Sequence, residues 1–386
     1  MRKGYKNTSI GEIPIDWKIT KLGDYLDYIQ PTKYTTNDIN ETGSIPVLTA
    51  NKAFVLGYTD ESENIFTDIP VIIFDDFTTD SKFVDFNFKV RSSALKILVQ
   101  KRKDIDINYL YESLKSINYQ SVEHKRYWIS EYQYLKIPLP PLPEQQKIAE
   151  ILSTVDAKID LITQRISQTQ DLKKGLMQRL LTKGIGHTEF KDSPLGEIPK
   201  SWEVKMFSEI IKHSNQGVNT TTEGVIYSEK GFKVIRSNNI SENIIDFNDV
   251  KFVDNKTYLR VKDTCKPKKG DVLYCNIGSA LGSASIYKSD EEVIINWNVF
   301  RIQPNNELVN NEYLTQILNY MKAEMRKMST QSTMPFISGK ALAKVKFTIP
   351  SIEEQTQIAS ILSTVDSKLA VLQNKKTHYQ DLKKGL

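Results

Sequence analysis

Along residues 143–182 the apolar positions fall at Ile148, Leu152, Val155, Ile159, Ile162 and Ile166, at spacings of 4, 3, 4, 3 and 4, with Glu, Lys, Gln and Asp between them. That alternation predicts one long helix whose apolar seam must be covered, as in a coiled coil. Pro143 suits the first turn, where its missing N–H would be unpaired anyway, and Glu144 suits the positive end of the helix dipole. Beyond Ile166 the seam loosens through Thr169 and resumes at Leu172, Leu176 and Leu180. Some 35 residues at about 1.5 Å each span roughly 50 Å. Gly184 and Gly186 then end the pattern, as helix C-termini prefer. A second seam runs through Ile358, Leu362, Val365, Leu369 and Leu372, meets Lys376 where an apolar residue is expected, and continues at Tyr379.

The rest of the chain has a shorter period. Runs at 45–48, 70–74 and 94–99 are rich in β-branched residues and broken by turn residues, which predicts strands. Residues 107–115 predict a short helix. Residues 201–346 repeat this style with unrelated letters, including a strand, a Gly-Ser loop and another strand over 270–287, a further strand-like run at 293–302 and a helix at about 311–326. Gly278 to Gly282 between strands fits a turn better than a cofactor loop.

Both styles recur as a pair. Ile148 and Ile358 are 210 positions apart, and Asp171-Leu172-Lys173-Lys174-Gly175-Leu176 returns letter for letter as Asp381 to Leu386 at the same offset. Gly11-Glu12-Ile13-Pro14-x-x-Trp17 returns as Gly196-Glu197-Ile198-Pro199-x-x-Trp202 at an offset of 185. The chain is a duplication, each half opening on this motif and closing on a long helix. The two tryptophans are expected to be core anchors where each half begins.

Composition narrows the chemistry. Apolar residues make up 39% and charged residues 26% of 386, ordinary for globular domains. A net charge of +5 is compatible with a polyanionic partner without requiring one. Cys265 and Cys275 lack neighbours at metal spacing and are expected to be reduced thiols of a cytoplasmic protein. No stretch approaches the roughly 18 apolar residues of a membrane helix, so no membrane partner is expected. His124, His187, His213 and His378 are scattered. There is no Gly-x-Gly-x-x-Gly after a strand, no phosphate-binding Gly-Lys-[Ser/Thr] loop and no Asn-Pro-Pro-aromatic methyltransferase motif. Asp75-Asp76 lacks the acid-x-Lys that would complete a nuclease pair, and a solvated turn is the expectation.

Two heptad stripes cannot both face water, so the two long helices are expected to pack as an antiparallel coiled coil with pseudo-twofold symmetry. The predicted fold is α+β: two strand-rich domains separated by long helices. The boundaries are 1–142 and 185–350 for the domains with their connector, and 143–184 and 351–386 for the helices.

Ile137-Pro138-Leu139-Pro140-Pro141-Leu142-Pro143-Glu144-Gln145-Gln146-Lys147-Ile148-Ala149-Glu150-Ile151-Leu152 resembles the conserved region of the DNA specificity subunits of type I restriction–modification enzymes. The doubled Gly-Glu-Ile-Pro-x-x-Trp and the run Gly270-Asp271-Val272-Leu273 resemble the start and core of their target-recognition domains. The likeness spans the chain. It departs from the family pattern at Glu353, which stands where the first copy has Pro143, and at Leu386, about ten residues before the point equivalent to the first helix's end.

The resemblance implies a non-catalytic subunit of a methyltransferase and endonuclease complex. Each recognition domain would read one half of a bipartite, asymmetric site in double-stranded DNA, and the helices would set the spacer. Two modification subunits would dock on it and restriction subunits would join. S-adenosylmethionine, ATP and magnesium are expected on those partners. Family members place a polar DNA-facing loop just upstream of the conserved helix. This points to Lys125 and Arg126 in the first half and to Gln331, Ser332 and Thr333 in the second, with Lys82, Arg91, Arg236, Asn238 and Asn276 as further DNA contacts. The competing idea, a coiled coil that bridges proteins and ignores DNA, gives no reason for two unrelated domains on duplicated struts.

Overall fold

The computed structural model describes residues 4–49, 53–117, 126–330 and 334–385. The chain divides into two compact units, residues 1–160 with 379–386, and residues 161–378.

The first unit is built on a four-stranded antiparallel sheet in the order Leu26–Ile29, Leu95–Gln100, Val71–Asp75, Ser81–Val84. A smaller sheet holds Ile45–Leu48 between antiparallel Val55–Thr59 and parallel Lys89–Val90. The helix Ile107–Ser116, capped by the Asp106 side chain on the Tyr109 N–H, packs Leu110 and Leu114 against Ile72, Phe74, Leu98 and Trp128. A two-stranded ribbon, Lys18–Lys21 with Lys136–Leu139, closes the domain where the long helix leaves it.

The second unit repeats this plan. Its sheet runs Ile211–Gln216, Val299–Pro304, Val272–Cys275, Ala284–Ile286, all antiparallel. The smaller sheet again has one antiparallel and one parallel neighbour around Phe232–Ile235. The ribbon is Glu203–Met206 with Lys346–Ile349. Two halves with almost no shared letters in these strands have one topology, and in both the central strands of the sheet are largely apolar runs buried on both faces. The helix predicted at 311–326 is two, Asn311–Tyr320 and Lys322–Met328.

The long helices are Leu142–Lys183 and Ile352–Gly385. In the second unit they run antiparallel. Lys173 meets Asp366 at 2.7 Å, while Ile185, just past the end of the first helix, donates its N–H to Glu354 near the start of the second at 2.9 Å. Leu180, Leu181, Ile358 and Leu362 join one core with Trp202, Phe207, Tyr313 and Phe347. In the first unit the last turn of the second helix lies on the first helix through Lys383 and Asp156.

Of the predicted seam residues, Val155, Ile162, Ile358, Leu362, Val365 and Leu372 are buried, while Ile148, Leu152, Ile159 and Leu369 are half-buried. Leu172 is a correction: it is 52% exposed, and the seam passes from Thr169 through Lys173 to Leu176 and Met177. The heptad arithmetic favours Lys173, four residues after Thr169, whose aliphatic stem covers the seam while its ammonium pairs with Asp366. Lys376 likewise leaves the second helix unbroken and is half-buried in it.

The repeated motifs form one joint in each unit. The Trp202 indole donates to Glu354 at 2.9 Å, and the Trp17 indole to Glu144 at 3.0 Å. The next residue does more. Gln355 accepts from the Asn310 N–H at 2.7 Å and donates to the carbonyls of Leu308 and Pro350 at 3.0 and 2.9 Å. Gln145 accepts from the Asp106 N–H at 2.9 Å and donates to Pro140 at 2.8 Å. Tyr109 and Tyr313 complete the match by donating to the Pro138 and Thr348 carbonyls. Glu-Gln is thus the clasp that fixes each domain to its helix. Trp202 is fully buried, as an anchor should be, whereas Trp17 stays half-buried and acts mainly through its indole N–H. Gly184 closes the second joint at φ +67, where a Cβ would come within 2.4 Å of the Glu354 carboxylate.

Beside the first joint, Asp156 receives Lys115 at 2.5 Å and Lys383 at 2.6 Å, and both lysines also reach Glu112. Burial alone would raise the Asp156 pKa, but hydrogen bonds from Lys115 and Lys383 outweigh it and hold the carboxyl below the usual aspartate range. A depressed carboxylate stabilises the fold above its unfolded pKa, about 3.9, and that share is lost as pH falls through the folded value. The Asp156→Asn variant is therefore expected to unfold at lower urea than the natural chain at pH 7, by about 1 kcal/mol. The gap should close on acidification below about pH 4. An unchanged gap at pH 3 would show that the charge is not what matters.

Candidate nucleic-acid interface

At one end of each four-stranded sheet, the turn joining Val71–Asp75 to Ser81–Val84, or Val272–Cys275 to Ala284–Ile286, carries the segment that leads into the long helix. In the first unit this turn is Asp75-Asp76. It is not solvated, as the sequence suggested: the two residues are 8% and 2% exposed. Asp75 accepts the N–H groups of Phe77 and Thr78, and Asp76 accepts the Trp128 N–H at 2.8 Å, holding the short helix Tyr127–Ser130. Packing of that helix buries the pair, which no local pattern reveals.

Lys96 lies beside it, 3.9 Å from Asp76, bonded to the Gln30 amide oxygen and over the Tyr28 ring. Burial lowers its pKa; Asp76 opposes that shift, and the nearby charge of Arg126 adds to it. Arg126 itself is exposed at the start of the short helix.

The second unit uses Asn276 at the matching place. Asn276 is fully buried. Its side chain accepts from Gln216 at 3.3 Å, and its carbonyl accepts the Ile337 N–H at 3.0 Å. Gly278 donates its N–H to Pro335 at 2.9 Å. Asn276 therefore hangs the approach segment on the sheet and does not face solvent, which corrects its reading as a DNA contact. Its amide is spent on protein, on the Gln216 side chain and the Ile337 carbonyl.

Gln30 and Gln216 are a further matched pair. Gln30 donates to the Ser93 carbonyl at 2.7 Å and Gln216 to that of Trp297. The N–H groups of Arg91 and Asn296 both bond to the last carbonyl of the central strand of the smaller sheet, Leu48 or Ile235. One loop is thus presented on the same scaffold twice, as Arg91-Ser92-Ser93-Ala94 and as Asn296-Trp297-Asn298.

Trp297 is 42% exposed on this turn, its N–H fixed to Val218 at 2.9 Å and the turn closed by Val299 N–H on the Asn296 carbonyl. Its amphipathic ring is thus open to a partner. Sequence reasoning passed over it, although its position between two asparagines was a signal.

The remaining predicted residues are dispersed. Arg91 is exposed, its guanidinium resting on Asn37 and the Thr36 carbonyl. Lys82 is exposed and lines a cleft of about 690 Å³ with Tyr111, Glu112, Lys115 and Asp156. Arg236 is half-buried and pairs with Asp249, which Asn238 also approaches. Lys125, Gln331, Ser332 and Thr333 lie outside the described residues. Cys265 and Cys275 are buried free thiols in separate clusters, and burial pushes Cys275 up to about 12.

Two domains of one topology, each clasped to a long helix and each offering a differently lettered polar or aromatic loop at the same place, define a two-headed recognition protein. The family model described as type I restriction modification DNA specificity domain matches residues 14–170 and again 199–378, and the chain belongs to that family. The chain is similar to the type I restriction enzyme MjaVIII specificity subunit of Methanocaldococcus jannaschii, 29% identical over 97% of this chain and 92% of the relative. It is also similar to the EcoR124I/EcoR124II specificity subunit of Escherichia coli, 27% identical over 94% and 89%. In structure it is similar to the S subunit of the type I restriction–modification system from M. genitalium, with a TM-score of 0.67, 16% identity and coverage of 96% and 95%.

Proposed function

We propose that this chain is the DNA specificity subunit of a type I restriction–modification complex. Each strand-rich domain reads one half of a bipartite asymmetric site, and the long helices set the unread spacer and dock two modification subunits. The observation that carries this reading is the contrast between joint and loop. The Trp–Glu–Gln clasp is retained in both units, while the loops at Arg91 and Trp297 share no letters. A scaffold that only bridges proteins has no use for that contrast. In this reading the chain works in the cytoplasm and supplies the address without the chemistry. The modification subunits bring S-adenosylmethionine, and the restriction subunits bring ATP and magnesium.

Sequencing of adenine methylation in the host, with and without this gene, tests the reading. One bipartite motif is expected to vanish on deletion while the neighbouring methyltransferase gene stays intact; a methylome that does not change refutes it. Exposed Trp297 and Arg126 are the contacts favoured for the two half-sites. Trp297→Ala is expected to weaken binding of the assembled complex to its site about 10-fold, a contact of roughly 1–2 kcal/mol. Competition with DNA altered in each half separately should show that only one half-site has lost discrimination.

A further inference from the structure

Two ion pairs join the long helices, and they are copies of one another. Asp156 and Asp366 are 210 positions apart, as are Lys173 and Lys383. Asp156 holds Lys383 at 2.6 Å, and Lys173 holds Asp366 at 2.7 Å. All four side chains are at most 28% exposed, in helices whose seam is otherwise mostly apolar. Their surroundings match too: Glu112 bonds to Lys383 at 3.0 Å, and in the other unit Gln316 donates to Asp366 at 3.0 Å.

The spacing has a consequence for register. Asp156 and Lys173 are 17 residues apart on one helix, and Asp366 and Lys383 are 17 apart on the other. One antiparallel register therefore closes both pairs. A slip of one heptad, the smallest that keeps apolar residues on the seam, does not. In one direction Lys376 replaces Lys383 opposite Asp156, but Ala359 replaces Asp366 and leaves Lys173 unpaired. In the other, Gln373 faces Lys173 and Lys383 moves away to face Thr163. The apolar seam alone distinguishes these registers weakly, since Ile, Leu and Val recur along it at heptad spacing. A half-buried charge without its partner is costly, so the pairs discriminate between registers, beside the Ile185–Glu354 bond at the helix ends.

We propose that the Asp156–Lys383 and Lys173–Asp366 pairs select the single register of the long helices and thereby the length of the unread spacer; the second part rests on the DNA-specificity reading above. The Lys173–Asp366 pair is the one to reverse, because Asp156 also holds Lys115 and Lys383 also holds Glu112. The other partners of Asp366, the amides of Asn243 and Gln316, can turn an oxygen toward a lysine.

Two measurements on the full chain test it. Carbodiimide coupling followed by mass spectrometry joins touching carboxylate–lysine pairs, and the natural chain should yield Asp156–Lys383 and Lys173–Asp366. In D366K two lysines face each other, and the Asp156–Lys383 product is expected to fall about 10-fold while Asp156–Lys376 appears. The double variant K173D/D366K is expected to restore Asp156–Lys383. In the host, with the modification subunit present, D366K is expected to lose methylation at the natural spacer with half-sites unchanged, and K173D/D366K to recover it. If D366K keeps the natural cross-links, or if the reversed pair stays as shifted as D366K, the register role is overturned. Cross-links that shift while the methylated spacer stays the same overturn the tie to the spacer. A host in which even the natural chain directs no bipartite methylation removes the DNA-specificity reading, and the cross-links still decide the register.

Discussion

A chain carrying one extra heptad in each long helix is expected to direct methylation to its natural half-sites separated by a spacer about 3 base pairs longer. Seven helical residues add about 10 Å, and duplex DNA rises about 3.4 Å per base pair. The insertions belong between Asp156 and Lys173 and between Asp366 and Lys383. Placed there, they leave both ion pairs, both Trp–Glu–Gln clasps and the heptad phase of the seam intact. Insertion in one helix alone breaks the equal spacing of the pairs and is expected to abolish methylation. The measurement is the methylated motif found by sequencing the host genome. Altered half-sites with an unchanged spacer would refute the role of the helices in spacing.

The second large effect is on stability. Gln355→Ala is expected to destabilise the second unit by about 3 kcal/mol, because it leaves the Asn310 N–H and the Leu308 and Pro350 carbonyls without a side-chain partner in a buried place. For a unit of this size that is a fall of roughly 6–12 °C in the midpoint of thermal unfolding. Gln355→Met separates polarity from volume. It keeps most of the packing and loses every hydrogen bond, so it should be nearly as unstable as the alanine variant. A methionine variant within about 0.5 kcal/mol of the natural chain would show that the clasp is only a packing contact.

The same residues show how far the letters could be read. The seam at Val155, Ile162, Ile358, Leu362 and Val365 was legible because helical period is a property of neighbours along the chain. The duplication was legible because its identities cluster in the motifs. Their reason was not: the Trp17 indole finds Glu144 across 127 residues, and Trp202 finds Glu354 across 152. Those pairings arise only when the ribbon strands bring each half's beginning back to its helix. Asp75-Asp76 looked like a solvated turn, and Asn276 like a readout residue, because both are polar and stand where an apolar run gives way to a turn. A helix packed on the first and a strand-like segment stitched to the second bury them. Trp297 is the converse, an aromatic inside a predicted strand run that its turn holds in solvent.

By itself, then, the sequence determined the doubled architecture, the two long helices and the family resemblance, all of which rest on short-range period and on repeated letters. Tertiary structure decided which polar residues are clasps and which are free to meet a partner. It also decided that Lys173, not Leu172, lies on the seam opposite Asp366. The physical reason is that burying a polar group depends on whether a partner arrives from elsewhere in the chain, and one-dimensional pattern carries no record of that arrival.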